Sequence, residues 1–318
     1  MHRALDDTWQ YPDGGGYEVK QALAQHLGVS DTWITVGNGS NELLMLLAEA
    51  FLDASTSAVY SQFGFAIYPL VIRATGARCI EAPALAPTGA MPYGHDLTAM
   101  AKAIAPDTRL VFIANPNNPT GTWVSSAHLR EWIDIISTDT LVVLDEAYLE
   151  YAALREPNNS VAWLRQCPNL VLLRTFSKAY GLAGIRAGYA VSHPETAETL
   201  NRIRPPFNVS NVAQAGVVAA LADHDHVEGA ARRIVAERER VAAALQLLGL
   251  SVTPSAGNFL MVEVGARAAQ INEQLLRGGI IVRPLVSYGL GGHLRISIAL
   301  PDQNDRLIRL LASSLRGS

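Results

Sequence analysis

The chain of 318 residues holds 22 arginines but only three lysines, Lys20, Lys102 and Lys178, so any chemistry that needs a primary amine has three candidates. Lys178 has the most telling setting, because it follows the run Leu172-Leu173-Arg174 through Thr175-Phe176-Ser177. A lysine at the end of a buried strand is desolvated, which lowers its pKa and suits it to form a Schiff base. Earlier by 33 residues, Val142-Val143-Leu144 ends abruptly in Asp145 and continues as Glu146-Ala147-Tyr148. Taken alone, an aspartate in that place also fits a helix cap or a magnesium ligand. A further 27 residues back lies Asn118, in Asn115-Pro116-Asn117-Asn118-Pro119-Thr120-Gly121. Two prolines and a glycine make that segment a stiff, non-helical turn, and an ordinary tight turn is the plainer reading of it by itself.

Together the three segments bring an amide, a carboxylate and a lysine to one sheet edge, because ligands of open α/β sheets bind at the carboxyl ends of strands. Pyridoxal phosphate needs that set: a lysine for its aldehyde, an anion for its pyridinium nitrogen and a donor for its phenolate oxygen. Its phosphate needs anion-binding groups, which Ser177, Arg186 and the helix start at Gly39-Ser40-Asn41 can supply.

The elements that must position these residues follow from periodicity. Short β-branched runs at 33–36, 57–60, 109–114, 140–145, 169–174 and 187–191 alternate with helical segments, which predicts an α/β fold with a mostly parallel central sheet. The segment 40–52 reads as a helix behind a Ser40 cap, with Leu43 facing inward. Beyond about residue 195 the pattern changes. Arg204-Pro205-Pro206 breaks the chain, helical periodicity runs over 212–248 around a polar stretch at 223–228, and strand-like runs at 258–264, 279–284 and 294–299 precede a helix over 302–315. The expected division is a large domain at 28–200 and a smaller α+β domain, with a connecting helix, from 1–27 and 201–318.

Composition narrows the function classes. The chain is 49% apolar and 17% charged, with a net charge of -4, which favours neither disorder nor a nucleic-acid surface. No apolar run approaches a membrane span, and residues 1–8 carry no signal-like segment, so a soluble, cytoplasmic protein is expected. Cys79 and Cys167 lie far apart, which offers neither a disulfide scaffold nor a zinc site. Asp223-His224-Asp225-His226 reads as a solvated loop, and no metal is assigned.

The order GNGSNE, FGFAIY, NPNNPTG, VVLDEAY, RTFSKAYGLAGIRAGY and LRISIALP resembles the fold type I aminotransferases, most closely the histidinol-phosphate aminotransferase family. The resemblance spans the whole chain. It implies a Schiff base at Lys178, a pyridinium partner in Asp145, and phenolate-oxygen donors in Asn118 and Tyr148. It also implies phosphate contacts from Gly39, Ser40, Asn41, Thr175, Ser177 and Arg186, with Phe65 stacked on the ring. Tyr11, otherwise a turn residue, becomes the group that reaches the cofactor of the neighbouring subunit in a homodimer. Arg283 and Arg295, each otherwise a surface arginine on a strand, become the substrate-anion arginines.

The implied reaction is ping-pong transamination between histidinol phosphate and a 2-oxo acid, 2-oxoglutarate. Aromatic amino acid transamination, threonine-phosphate decarboxylation and a non-catalytic cofactor-binding role remain as alternatives. Ten residues precede Tyr11, fewer than the family's usual amino-terminal arm, so part of the cover over the substrate is expected to be absent.

Overall fold

The computed structural model describes residues 1–157 and 159–316. Seven strands form the large sheet: β1 (Ile34–Gly37), β2 (Ser57–Ser61), β3 (Arg78–Ala82), β4 (Thr108–Ala114), β5 (Leu141–Asp145), β6 (Leu170–Thr175) and β7 (Gly188–Ser192). Their spatial order is β1-β7-β6-β5-β4-β2-β3. Pairing is parallel from β6 through to β3, whereas β7 runs antiparallel to both of its neighbours. The central strands carry continuous apolar runs, 110–114, 141–144 and 170–173, because helices cover both faces, and alternate side chains feed two cores. Val142 and Leu144 join one cluster with Val111, Ile113 and Leu172, while Val143 joins the other with Leu110, Phe112 and Leu173. Strand β3 escapes the sequence pattern for a physical reason: it lies at the sheet edge and only Ala82 is fully buried in it.

The smaller sheet is antiparallel, ordered β10-β11-β9-β8, from β8 (Ser251–Val252), β9 (Phe259–Glu263), β10 (Arg283–Leu285) and β11 (Leu290–Ser297). Helices 224–247, 268–277 and 301–316 close over it, burying Val241, Leu245, Ile271, Leu275, Leu307 and Leu311 against Leu260, Val262, Leu294 and Ile296. Of the strand expected over 279–284, only Arg283 and Pro284 pair, and the strand expected from 294 begins at Leu290. The polar run at 223–228 is not a loop. Asp223 accepts the amide hydrogen of His226 as a helix cap, and His224 opens the helix 224–247.

The large sheet's core also takes in helices from outside residues 28–200. Val19 and Leu23, on the helix Tyr17–Leu27, share the large sheet's core with Ile34 and Val36, and Ala213, Val217 and Leu221 of the helix 211–221 join them. The two helices pack on one another, and the helix Tyr17–Leu27 also packs on β1.

Candidate active site

The chemistry-bearing residues gather where β1, β2, β4, β5 and β6 end and the antiparallel β7 begins, around a cavity of about 290 Å³. At one side stand Ser40 and Asn41, which open the helix Ser40–Phe51, together with Thr175, Ser177 and Arg186. The helix cap is Gly39 rather than the expected Ser40, and no side chain caps the first turn, so its amide N–H groups face the site uncapped. Thr175 Oγ1 donates to Ser177 Oγ at 3.0 Å, and Arg186 Nη1 donates to that same oxygen at 3.3 Å and to the Ala183 carbonyl at 2.9 Å. Arg186 holds a left-handed backbone, φ 59, and its guanidinium lies over Gly39, where a Cβ would come within 2.3 Å of Nη2. The opposed Gly188 serves the same approach from β7, since a Cβ there would meet the Ser40 nitrogen at 2.7 Å. Two missing side chains thus make room for one cationic, amide-rich cradle.

Asn118, Asp145, Tyr148 and Lys178 line the same cavity, with Phe65 facing it from the turn after β2. The turn bearing Asn118 is pinned: Asn115 exchanges side-chain hydrogen bonds with the Val124 backbone, and Asn117 Nδ2 donates to the Phe63 carbonyl at 2.8 Å. Arg295 Nη1 donates to Asn118 Oδ1 at 2.6 Å, which leaves the Asn118 amino group as the free donor. Asp145 is 5% exposed; Tyr68 donates to its Oδ2 and the Ala147 amide to its Oδ1, each at 3.1 Å. Burial pushes its carboxyl up to about 6, opposed by the Tyr68 and Ala147 hydrogen bonds and the nearby Lys178.

Lys178 makes no ion pair or hydrogen bond among the described residues, and its Nζ lies 5.3 Å from the centroid of the Tyr148 ring. Burial, then the positive charges of Arg295 and Arg186, hold its ammonium below the ordinary range, while Asp145 acts the other way. Burial keeps the Tyr148 phenol protonated, its pKa pushed up to about 12.

Residues 3–311 match the aminotransferase class I and II family. This chain belongs to the class I and II aminotransferases. Among curated relatives, "Histidinol-phosphate aminotransferase 2" of Nitrosospira multiformis is 46% identical over 315 residues, covering 99% of this chain and 79% of the relative. "Histidinol-phosphate aminotransferase 1" of Cupriavidus pinatubonensis is 48% identical over 316 residues, covering 98% and 82%. Among solved structures, the histidinol-phosphate aminotransferase of Sinorhizobium meliloti in complex with pyridoxal 5'-phosphate superposes with a TM-score of 0.90 at 34% identity, over 99% of this chain and 85% of that one. The aminotransferase has the fold type I architecture and uses pyridoxal phosphate.

Its residues fit that cofactor. The Gly39 gap filled by the Arg186 guanidinium is a cradle for a phosphate, and Lys178, Asp145 and Asn118 offer an amine, an anion and an amide donor beside it. Two further expected residues do not line the cavity, and for Tyr11, assigned to a neighbouring subunit's cofactor, no place in its own chain's lining was expected. Gly39 borders the cavity through Arg186 rather than lining it. Tyr11 is 82% exposed and rests on the Phe207 ring at 4.9 Å, outside its own chain's cavity.

Sequence reasoning missed Tyr68, whose apolar neighbours make it read as core; its spacing of three from Phe65 at a helix start was the available signal. It also missed Arg174, whose Nε donates to Glu146 Oε2 at 2.8 Å beneath the turn that carries Asp145 and Tyr148.

Proposed function

We propose that this aminotransferase acts on histidinol phosphate as amino donor, with 2-oxoglutarate taking the amino group in the second half of a ping-pong cycle. One observation carries the reading. Arg283 and Arg295 face each other directly across the β10–β11 pair, both line the cavity, and neither has a carboxylate partner among the described residues. Arg295 Nε is buried without a hydrogen-bond partner. Two like charges held side by side repel, and a substrate anion that takes donors from both relieves the cost. A phosphate monoester and a dicarboxylate satisfy the pair in turn. The names of the relatives support the same substrate.

When bound, pyridoxal phosphate supplies an aldehyde that exchanges amines and a ring that stores the electron pair released at the substrate carbon. Lys178 Nζ is the chain's own amine that would hold that aldehyde, and as a free amine it would carry a proton to and from the reacting carbon. Its depressed pKa leaves more of it neutral at the start. Asp145 Oδ1 and Oδ2 hold a negative charge against the ring nitrogen. Asn118 and Tyr148 would donate to the phenolate oxygen, Phe65 would stack on the ring, and Ser40, Asn41, Thr175, Ser177 and Arg186 would bind the phosphate.

Tyr11, exposed beside Phe207, reaches the cofactor phosphate of a second copy, so the working unit is a homodimer with shared sites. The two free thiols, Cys79 and Cys167, suit a reducing cytoplasm, and no described helix is long and apolar enough to cross a membrane.

Steady-state assays with histidinol phosphate, phenylalanine and tyrosine test the substrate. The expected kcat/KM is highest for the phosphate, and a higher value for either aromatic amino acid overturns the assignment. Mixing Tyr11→Phe with Lys178→Ala chains tests the sharing. A mixed dimer regains one intact site, and no recovery in mixed dimers shown to form refutes it.

A further inference from the structure

We infer that Tyr68 is a positioning residue for the cofactor ring, holding Asp145 in place and ionised from beneath the site while backing the ring-stacking side chain. Tyr68 is fully buried at the start of the helix Ile67–Ala74, and its phenol oxygen lies 3.1 Å from Asp145 Oδ2. The ring is wedged on two sides. It stacks on Phe112 of β4 at 5.1 Å with planes 14° apart, and it meets Phe65 edge-on at 5.8 Å, 89°. One side chain therefore touches both the group expected to face the pyridinium nitrogen and the group expected to cover the ring.

The hydroxyl has a defined direction of action. Burial and the Asp145 charge hold the Tyr68 phenol well above its ordinary pKa, so it is a donor at every working pH. A donor bond stabilises the charged form of a buried carboxylate, against a burial cost that favours the neutral form. The other groups facing Asp145 are the Ala147 amide, Lys178, Glu146 and Tyr148. Lys178 is engaged once cofactor is bound, Glu146 carries the same sign as Asp145, and Tyr148 lies on the phenolate side. Tyr68 is then the side-chain donor that remains on Asp145 throughout.

The inference rests on Asp145 being the ring-nitrogen partner, and the experiment separates the two. The full-length protein, stripped of cofactor, is titrated with pyridoxal 5'-phosphate by absorbance from about pH 5 to 9, as parent, Tyr68→Phe, Asp145→Asn and Phe112→Leu. Loss of a hydrogen bond to a buried carboxylate should weaken affinity at neutral pH about tenfold and raise the midpoint of the acid limb by about one pH unit in Tyr68→Phe. Asp145→Asn should abolish that limb. Phe112→Leu, which loosens the packing but keeps the hydroxyl, should lower Tm and leave the limb where it is. If Asp145→Asn removes the limb while Tyr68→Phe leaves it unmoved, or if Phe112→Leu moves it as far as Tyr68→Phe does, Tyr68 is only packing. If Asp145→Asn itself changes nothing, the ring-partner reading fails instead.

Discussion

Replacing Gly39 by alanine places a methyl group where the Arg186 guanidinium now lies, 2.3 Å from Nη2 and 3.1 Å from Cζ. The guanidinium must retreat by about 1 Å or more to regain ordinary van der Waals contact, which takes it off the phosphate. A charge-assisted hydrogen bond lost this way is worth about 1.5 to 3 kcal/mol, or roughly 10- to 150-fold in affinity. A separate cost falls on the fold. Gly39 sits at φ 80, ψ 167, a region nearly closed to other residues, and alanine there strains the backbone by about 1 to 3 kcal/mol. Two measurements separate these effects. Thermal unfolding of the cofactor-free protein reads the strain, and equilibrium titration with pyridoxal 5'-phosphate beside pyridoxal reads the cradle. The phosphorylated cofactor should weaken by at least tenfold while pyridoxal changes little, and the loss should shrink in an Arg186→Ala background because the displaced group is already gone. An equal loss for both ligands, or a change within twofold for the phosphorylated one, would sink the reasoning.

Borohydride reduction of the loaded enzyme followed by peptide mapping should label Lys178 alone, and Lys178→Ala should abolish turnover while Lys20→Ala and Lys102→Ala retain it; a label on either other lysine refutes the site. Glu150 gives a pH signature. Its Oε2 is buried without a partner, and burial, reinforced by Glu146 and opposed by Arg174, pushes its pKa up to about 7. A carboxyl raised in the folded state favours folding while it is protonated, and that contribution is lost as pH rises through about 7. Glu150→Gln, which stays neutral, should therefore match the parent in Tm near pH 4 and exceed it by about pH 8, whereas a gap that does not change with pH contradicts the assignment.

What the sequence disclosed, and what it withheld, follow one physical division. Asn118, Asp145 and Lys178 were legible because each ends an apolar run, and a polar group at the carboxyl end of a buried parallel strand is placed by topology alone. Arg283 and Arg295 carried no such signal. Only the register of β10 on β11 makes them neighbours, and the sequence showed them through family resemblance rather than through local chemistry. Tyr68 and Arg174 were invisible for a related reason, since their partners Asp145 and Glu146 are distant in sequence and meet them only across the folded sheet. The packing of the helix Tyr17–Leu27 beside Ile34 and Val36 was not legible, because an amphipathic pattern says that a face is buried without saying against what.

Strand β1 is the outermost strand of its sheet, paired on one side with β7 and on the other with no strand among the described residues. The phosphate cradle straddles that single seam: Ser40 and Asn41 follow β1, and Arg186 precedes β7. A phosphate held by both therefore acts as a staple across the seam, added to the four registered positions from Ile34–Val191 to Gly37–Gly188 and to the helices packed on β1. Amide hydrogen exchange at 34–37 should slow on cofactor binding far more than at the central strands β4 and β5, which are enclosed on both sides whether or not the cofactor is present. Cofactor binding and the closure of the sheet margin are then coupled, so the protection of this edge reports how much of the enzyme is loaded.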